Sequence, residues 1–209
     1  MEVLWKGAKS IVTRHILFTH SLFKLTSQYS TNIAIFTNME LKAAGFTLRG
    51  WKFGDEFALQ KHADNKNISD FLLDRFPSPY TLEQAKSWID LMHNQNPQTN
   101  FAIDIAGEVV GVIGFEMRAD VYRKTSLIGY WLSEHYWGRG IMPKAIKLVV
   151  KYGFSNLDII RIQAGVLGNN LKSMRVLEKA GFVKEGILKN AIIKNGEILD
   201  EHVFGICKD

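Results

Sequence analysis

The sequence predicts an α+β fold in which a mixed, mostly antiparallel sheet carries helices on both faces. Strand patterns occur as a meander and as a closing hairpin, which favours antiparallel neighbours, and helical patterns do not alternate strictly with them. In addition, 46% of the 209 residues are hydrophobic, which is enough for one sizeable core. We therefore expect one domain and not an all-parallel sheet.

Residues 1–38 differ from the rest of the chain in composition. Their acid is Glu2, whereas Lys6, Lys9, Arg14 and Lys24 are basic. An organelle-targeting peptide, a loosely packed extension and translation begun upstream of a natural start at residue 39 all agree with this composition. We favour a peripheral or poorly ordered N-terminal extension without a catalytic role, followed by a domain over 39–209.

From residue 40 onward the patterns are regular. Alternating apolar residues predict strands, and apolar residues at helical spacing predict helices. The predicted elements are a strand over 46–51, a helix over 55–63, a short helical piece over 68–73, a helix over 82–94, strands over 101–105, 109–117 and 127–132, a helix over 143–154, a strand over 159–166, a helix over 170–180, and strands over 182–193 and 197–207.

Local motifs set several of these boundaries. Thr81 followed by Gln84 is a capping box, which predicts that a helix begins at residue 82. Gly181 is a natural stop for the helix before it. Asn195-Gly196 is the strongest short turn signal in the chain and predicts the last hairpin.

Composition also argues against several classes of protein. No run of 18 apolar residues is present, so we expect no membrane span. One cysteine, Cys207, rules out a disulfide within the chain and a cysteine-based metal site, and the six histidines lack ligand spacing. We therefore expect no metal and a reducing, cytoplasmic compartment. Most of the net charge of +5 lies near the N-terminus, which makes nucleic-acid binding a poor interpretation.

The stretch 127–145 combines a strand, a glycine-bearing loop and the start of a helix. Gly138 and Gly140 let the backbone turn tightly, and the amides at a helix start attract anions. Pro143 suits the first helical turn, where an amide hydrogen would have no partner. This arrangement predicts a ligand that carries phosphates. An ordinary strand-to-helix turn is the alternative if the loop is considered alone.

Three motifs resemble the GNAT superfamily of N-acetyltransferases, most closely the branch typified by the ribosomal-protein alanine acetyltransferases. Residues 137–142, Trp-Gly-Arg-Gly-Ile-Met, are similar to the acyl-CoA motif Gln/Arg-x-x-Gly-x-Gly/Ala. Trp137 and Met142 differ from the first and last positions of the motif, and both resemble what this branch uses there. Residues 170–182 resemble the branch's Asn-x-x-Ser…Leu-Glu-Lys-x-Gly-Phe block. The hairpin around 194–197 is the third match. The resemblance covers roughly 39–208.

The resemblance implies an acetyl-CoA-dependent N-acetyltransferase with a GNAT-type sheet, splayed beside Leu132. The pantetheine arm would follow the strand that precedes the loop, and the pyrophosphate would take the loop amides. The cofactor-binding residues implied are Tyr130, Trp131, Leu132, Trp137, Gly138, Arg139, Gly140, Ile141, Met142, Pro143 and Asn170. The acceptor pocket would be built from the segments 68–80, 119–124 and 189–195.

Three catalytic residues are also implied. Glu116, near the end of its strand and beside the splay, is the first candidate for the base that deprotonates the amine, and Glu134 is the second; a solvated charge is the alternative for each. Asp104 is expected to face solvent. Ser173 would donate a hydrogen bond to the leaving sulfur, with Asn170 beside it on one helix face. Alternatively, Asn170 only caps the helix.

The predicted reaction moves an acetyl group from acetyl-CoA to a primary amine, either a protein N-terminus or a small molecule, in a ternary complex. The alternative is a non-catalytic acyl-CoA-binding or sensor module on the same fold. The expected partners are acetyl-CoA and an amine, with no nucleic acid and no membrane, and homodimer formation is left open by the sequence.

Overall fold

The computed structural model of the protein describes residues 39–208, so the extension predicted for 1–38 lies outside the described residues. The strands are β1 (Leu41–Ala43), β2 (Phe46–Arg49), β3 (Asn100–Ile105), β4 (Glu108–Met117), β5 (Thr125–Leu132), β6 (Arg161–Leu167), β7 (Val183–Lys194) and β8 (Glu197–Cys207). The helices are α1 (Glu56–Ala63), α2 (Lys66–Ser69), α3 (Leu82–Met92), α4 (Ile141–Asn156) and α5 (Leu171–Ala180), with 3-10 turns at Asp120–Tyr122 and Glu134–Tyr136. None of the helices within 39–208 is long and apolar enough to cross a membrane.

The eight strands form one sheet in the order β1-β2-β3-β4-β5-β6-β8-β7. Every neighbouring pair is antiparallel except β5 and β6, which are parallel. That parallel ladder has three rungs and ends at Leu127 opposite Gln163. Beyond this rung β5 continues to Leu132 and β6 continues to Leu167, so the two strands separate. The predicted α+β class and the splayed sheet are confirmed.

Two hydrophobic cores lie on opposite faces of the sheet. On one face α4 and α5 cover a core that includes Phe101, Ile146, Leu177 and Phe204, all fully buried. On the other face α1, α2 and α3 cover a smaller core that contains Trp131. Because successive side chains of a strand point to opposite faces, β5 contributes to both cores. Its position in the sheet is therefore fixed from both sides.

The structure differs from the prediction at a few boundaries. The short strand β1 was not predicted, and it pairs with β2 across a turn in which Gly45 has φ +89°. The short helical piece spans 66–69 and not 68–73, because the Asn65 side chain accepts from the amide of Asn67 and starts the helix earlier. Helix α4 begins at Ile141, two residues before the predicted start, and Pro143 lies in its first turn as expected.

Candidate functional site

The separation of β5 and β6 leaves a cleft between Ile128–Leu132 on one side and Ala164–Leu167 on the other. The amide of Ser133 donates to the carbonyl of Val110 on β4 at 2.7 Å. Backbone N–H and C=O groups alternate in direction along a strand. The N–H and C=O groups of Tyr130 and Leu132 therefore point away from β4 and into the cleft. An extended ligand could therefore pair with the exposed edge of β5.

The loop that contains Gly138 and Gly140, called the glycine loop below, lies at the N-terminus of α4. Helix α4 is the longest helix of the described chain, at 16 residues. Gly138 and Gly140 adopt φ values of +76° and +70°, and Gly140 caps the helix. Within 39–208, no protein acceptor pairs with the backbone amides of Gly140, Ile141 and Met142. Open donors at the positive end of a long helix suit a phosphate group. The residues present therefore fit the pyrophosphate of coenzyme A.

The side chain of Trp137 attaches this loop to the cleft. Its indole Nε1 donates to the carbonyl of Leu132 at 2.7 Å. The ammonium of Lys172, in the first turn of α5, lies 4.6 Å from the centre of the same ring. Trp137 thus links the end of β5, the loop and the start of α5, a positioning role that the motif comparison did not predict. Arg139 is exposed, and its guanidinium lies 5.2 Å from the centre of the Tyr136 ring.

Asn170 and Ser173 lie together at the start of α5. The Oδ1 of Asn170 accepts from the backbone amide of Ser173 at 3.1 Å, which is the geometry of a helix N-cap. The Oγ of Ser173 lies 2.8 Å from the phenol oxygen of Tyr130, across the mouth of the cleft. The structure therefore brings these two predicted residues together and adds a third side chain.

Sequence reasoning assigned only backbone contacts to Tyr130 and missed its phenol. Burial raises the pKa of Tyr130 to about 12, although the hydrogen bond with Ser173 acts in the opposite direction. The phenol therefore stays protonated at neutral pH and can donate a hydrogen bond to Ser173. The alternation of β5 was the signal that could have found it, because this alternation places Tyr130 on the face covered by α4 and α5.

The predicted base, Glu116, lies on β4 opposite Leu127, at the rung where β5 and β6 begin to separate. Its carboxylate pairs with the guanidinium of Arg75 at 2.5 Å, and both side chains are at least half exposed. Glu134 accepts hydrogen bonds from the side chains of Asn67 and Asn65, which lower the pKa of Glu134. Its carboxylate therefore joins the loop to α2, which makes it the weaker candidate for a base.

The expectation that Asp104 faces solvent is wrong. Its side chain is 12% exposed, and its carboxylate pairs with the guanidinium of Arg49 at 2.8 Å. Arg49 also pairs with the buried Asp55 at 2.7 Å. Asp104 therefore belongs to a buried ion cluster that ties β3 to β2 and α1.

Two of the three segments predicted to form the acceptor pocket, 68–80 and 189–195, meet in space, whereas no residue of 119–124 lines the cavity between them. Asp74 pairs with Lys194 of the last hairpin at 2.8 Å, and Asp70 accepts from Asn195 at 3.1 Å. A cavity of about 220 Å³ lies between these segments, and the residues that line it are Asp70, Phe71, Asn169, Lys194, Asn195, Glu197 and Leu199. The loop after α2 and the tip of the hairpin thus form one continuous wall.

Residues 46–183 match the family model described as an acetyltransferase (GNAT) domain. The chain belongs to the GNAT acetyltransferase family. The domain is therefore an acyltransferase that depends on acetyl-CoA, and the predictions of the family, of an enzyme and of this cosubstrate are confirmed. Within 39–208, no three histidine, cysteine, aspartate or glutamate side chains group together as metal ligands would.

Known relatives agree with this family. The chain is 51% identical over 83 residues to "Probable N-acetyltransferase YjcK" of Bacillus subtilis (strain 168), a match that covers 40% of this chain and 46% of that protein. It is 30% identical over 114 residues to the ribosomal-protein-serine acetyltransferase of Escherichia coli (strain K12), covering 54% of this chain and 63% of that one. The chain thus spans less than two thirds of the length of each of these two relatives. It is 28% identical to "Uncharacterized N-acetyltransferase p20" of Bacillus licheniformis. That match covers 78% of this chain and 92% of that protein.

A solved structure supports the same fold. The crystal structure of a GNAT-family acetyltransferase from Bacillus anthracis superposes with a TM-score of 0.69 at 26% identity, covering 81% of this chain and 98% of that one. The match to the ribosomal-protein-serine acetyltransferase supports the predicted branch of the superfamily.

Proposed function

We propose that this domain transfers the acetyl group of acetyl-CoA to a primary amine by direct attack within a ternary complex. The observation that carries the proposal is the cleft between β5 and β6, which has open amides at the start of α4 near one end and the Tyr130–Ser173 pair at its side. A thioester held along such a cleft lies between a phosphate cradle and a hydroxyl donor.

The binding roles follow from the donors in the cleft. The amides from Gly138 to Met142 hold the pyrophosphate, and Pro143 completes the first turn of the helix without needing a partner. The backbone of Tyr130 and Leu132 pairs with the pantetheine amides. Asn170 caps α5 with its oxygen, so its amide NH₂ remains available for a pantetheine carbonyl.

The chemical step then needs only a few groups. An alkylamine has a pKa of about 10 and an N-terminal amine has a pKa of about 8, so the acceptor must lose a proton before it attacks. Glu116 accepts this proton, directly or through water. The amine nitrogen forms a bond to the carbonyl carbon, and a backbone N–H of β5 stabilises the oxyanion. The carbon–sulfur bond breaks as the nitrogen gives up its remaining extra proton to water. Ser173, supported by Tyr130, donates a hydrogen bond to the departing thiolate, which then takes a proton from water and leaves as the free thiol.

The acceptor that we propose is a cationic primary amine, either a peptide N-terminus or a polyamine. Two relatives carry names of this chemistry: the ribosomal-protein-serine acetyltransferase and the spermidine N(1)-acetyltransferase of Escherichia coli (strain K12). We place the reaction in the cytoplasm, in agreement with a chain that has one cysteine.

The test is acetyl transfer by the full chain. Acetyl-CoA is incubated with spermidine, with a short peptide that begins with serine and with one that begins with alanine, and release of free thiol is followed. Calorimetry with coenzyme A measures binding separately. We expect binding and transfer to at least one amine. Binding of coenzyme A without transfer to any of the three amines would overturn the proposal.

A further inference from the structure

The face of the sheet opposite α4 and α5 is uncovered beside the cleft. The core beneath α1, α2 and α3 takes side chains from β5 but, among the described residues, none from β6, β7 or β8. Two exposed glycines lie on this face where the strands separate, Gly129 on β5 and Gly165 on β6. Each is two residues beyond the last paired residues of the parallel ladder, Leu127 and Gln163. An amine could therefore approach the cleft here without meeting a side chain from either strand.

The carboxylate of Glu201 lies directly over Gly165. A β-carbon on Gly165 would collide with the Oε1 of Glu201, so the glycine leaves the space that this carboxylate occupies. Glu201 is on β8, where its backbone pairs with Leu167 of β6. The carboxylate is thus held at the edge of the glycine-lined opening.

Glu201 has no partner within the described part of the chain. It is partly buried, yet it makes no hydrogen bond and no ion pair with any residue of 39–208. Each of the other described carboxylates that is buried or partly buried has a partner: Asp55, Glu56, Asp70, Asp104, Glu108 and Asp200. A carboxylate that has lost part of its hydration is unfavourable until a cation or a donor reaches it.

Neighbouring charges on the same face are already neutralised by protein groups. Glu116 pairs with Arg75, and Glu185 pairs with Arg161 beside Gly205. Of the three carboxylates beside the separated strands, Glu116, Glu185 and Glu201, only Glu201 is without a partner among the described residues, so it is the one left for a charge from outside the protein.

We propose that Glu201 binds the ammonium group of the acceptor amine and directs it toward the cleft. This inference rests on the proposed function and adds to it the residue that selects a cationic acceptor. An ammonium donates charge-assisted hydrogen bonds to a carboxylate, and these are roughly twice as strong as neutral ones. Glu201 and Glu116 then divide the work: the first binds the charged amine, and the second takes its proton.

The first test is steady-state kinetics of Glu201→Gln with acetyl-CoA and the amine of the panel that wild type acetylates best. We expect the KM for the amine to rise at least tenfold, whereas the KM for acetyl-CoA and the calorimetric affinity for coenzyme A stay within twofold. Glu201→Asp, which keeps the charge, should recover part of the loss. Glu178→Gln is the control, because Glu178 is exposed on α5 and has no partner to lose within 39–208.

A second variant moves the carboxylate without removing it. Gly165→Ala places a methyl group where the Oε1 of Glu201 lies, and the flexible end of that side chain must turn away. We expect the KM for the amine to rise as in Glu201→Gln. In a Glu201→Ala background the same change should have no further effect, because coupled residues are not additive.

The outcomes separate the two proposals. Transfer by wild type together with an unchanged amine KM in Glu201→Gln overturns the role of Glu201 alone. An equal rise in the amine KM on Gly165→Ala in the wild-type and the Glu201→Ala backgrounds also overturns the role of Glu201 alone. A wild-type protein that acetylates none of the three amines overturns the proposed function, and the inference falls with it.

Discussion

Asn170 and Ser173 are adjacent in space, but their side chains do different work. The oxygen of Asn170 caps α5 by accepting from the amide of Ser173, whereas the hydroxyl of Ser173 faces Tyr130. Stability and turnover should therefore respond separately when each is changed.

Asn170→Ala should lower the free energy of unfolding by about 1 kcal/mol, because the cap is lost and an amide of the first turn is left without a partner. Asn170→Asp keeps an accepting oxygen and should retain most of the stability. Urea unfolding measures both. An alanine variant with wild-type stability would show that the cap contributes nothing.

Ser173→Ala should slow turnover about ten- to a hundredfold, which corresponds to about 1.4–2.7 kcal/mol of barrier, because the thiolate then leaves without a hydroxyl donor. The melting temperature should change little. Ser87→Ala, on the exposed side of α3, is the control. Wild-type turnover in Ser173→Ala on the best amine would remove this residue from the mechanism.

Tyr80 makes stability depend on pH in the alkaline range. It is 5% exposed, and burial raises its pKa to about 12 from an ordinary value of about 10. Between these values the unfolded chain loses the proton first, so stability falls as pH rises, by up to roughly 1.4 kcal/mol per pH unit. The difference between wild type and Tyr80→Phe in urea unfolding isolates this effect. Parallel pH curves for the two proteins would contradict it.

The loop and α4 act together as one element of the site. Gly140→Val should weaken coenzyme A binding by about 1–3 kcal/mol, because a β-branched residue strains the left-handed backbone that presents the amides. Gly54→Val is the matched control, since both glycines have positive φ and open space around the missing β-carbon. Calorimetry should show a loss only in the loop variant. Equal coenzyme A affinities in the two variants would show that the loop does not hold the phosphates.

The elements that the sequence predicts well are those set by neighbours in the chain. The capping box of Thr81 and Gln84 and the turn at Asn195-Gly196 depend on three or four successive residues, and both are present. Asp104 was assigned wrongly because its partner, Arg49, lies 55 residues away in the chain. The contact of Tyr130 with Ser173 spans 43 residues and has no local signature either. Side-chain pairing across the sheet therefore needed the structure.

At the scale of the whole molecule, the catalytic unit should not need residues 1–38. Both described cores and every residue proposed for the site lie beyond Met39. A chain that begins at Met39 should keep the coenzyme A affinity and turnover of the full chain within twofold, measured by calorimetry and thiol release. Loss of either in a folded protein would assign the N-terminal extension a functional role.

The separated ends of β5 and β6 also bear on how this sheet avoids aggregation. An unpaired strand edge exposes a row of amides and carbonyls that can recruit a strand from another chain. Here two such edges, those of β5 and β6, face each other inside one molecule. The gap between them closes where Leu127 pairs with Gln163. A second polypeptide cannot lie flat against either edge. A slender, flexible chain with a few amide groups can enter, and pantetheine has that shape. In the binding mode proposed above, the cosubstrate would therefore complete the sheet as a ninth, non-protein strand.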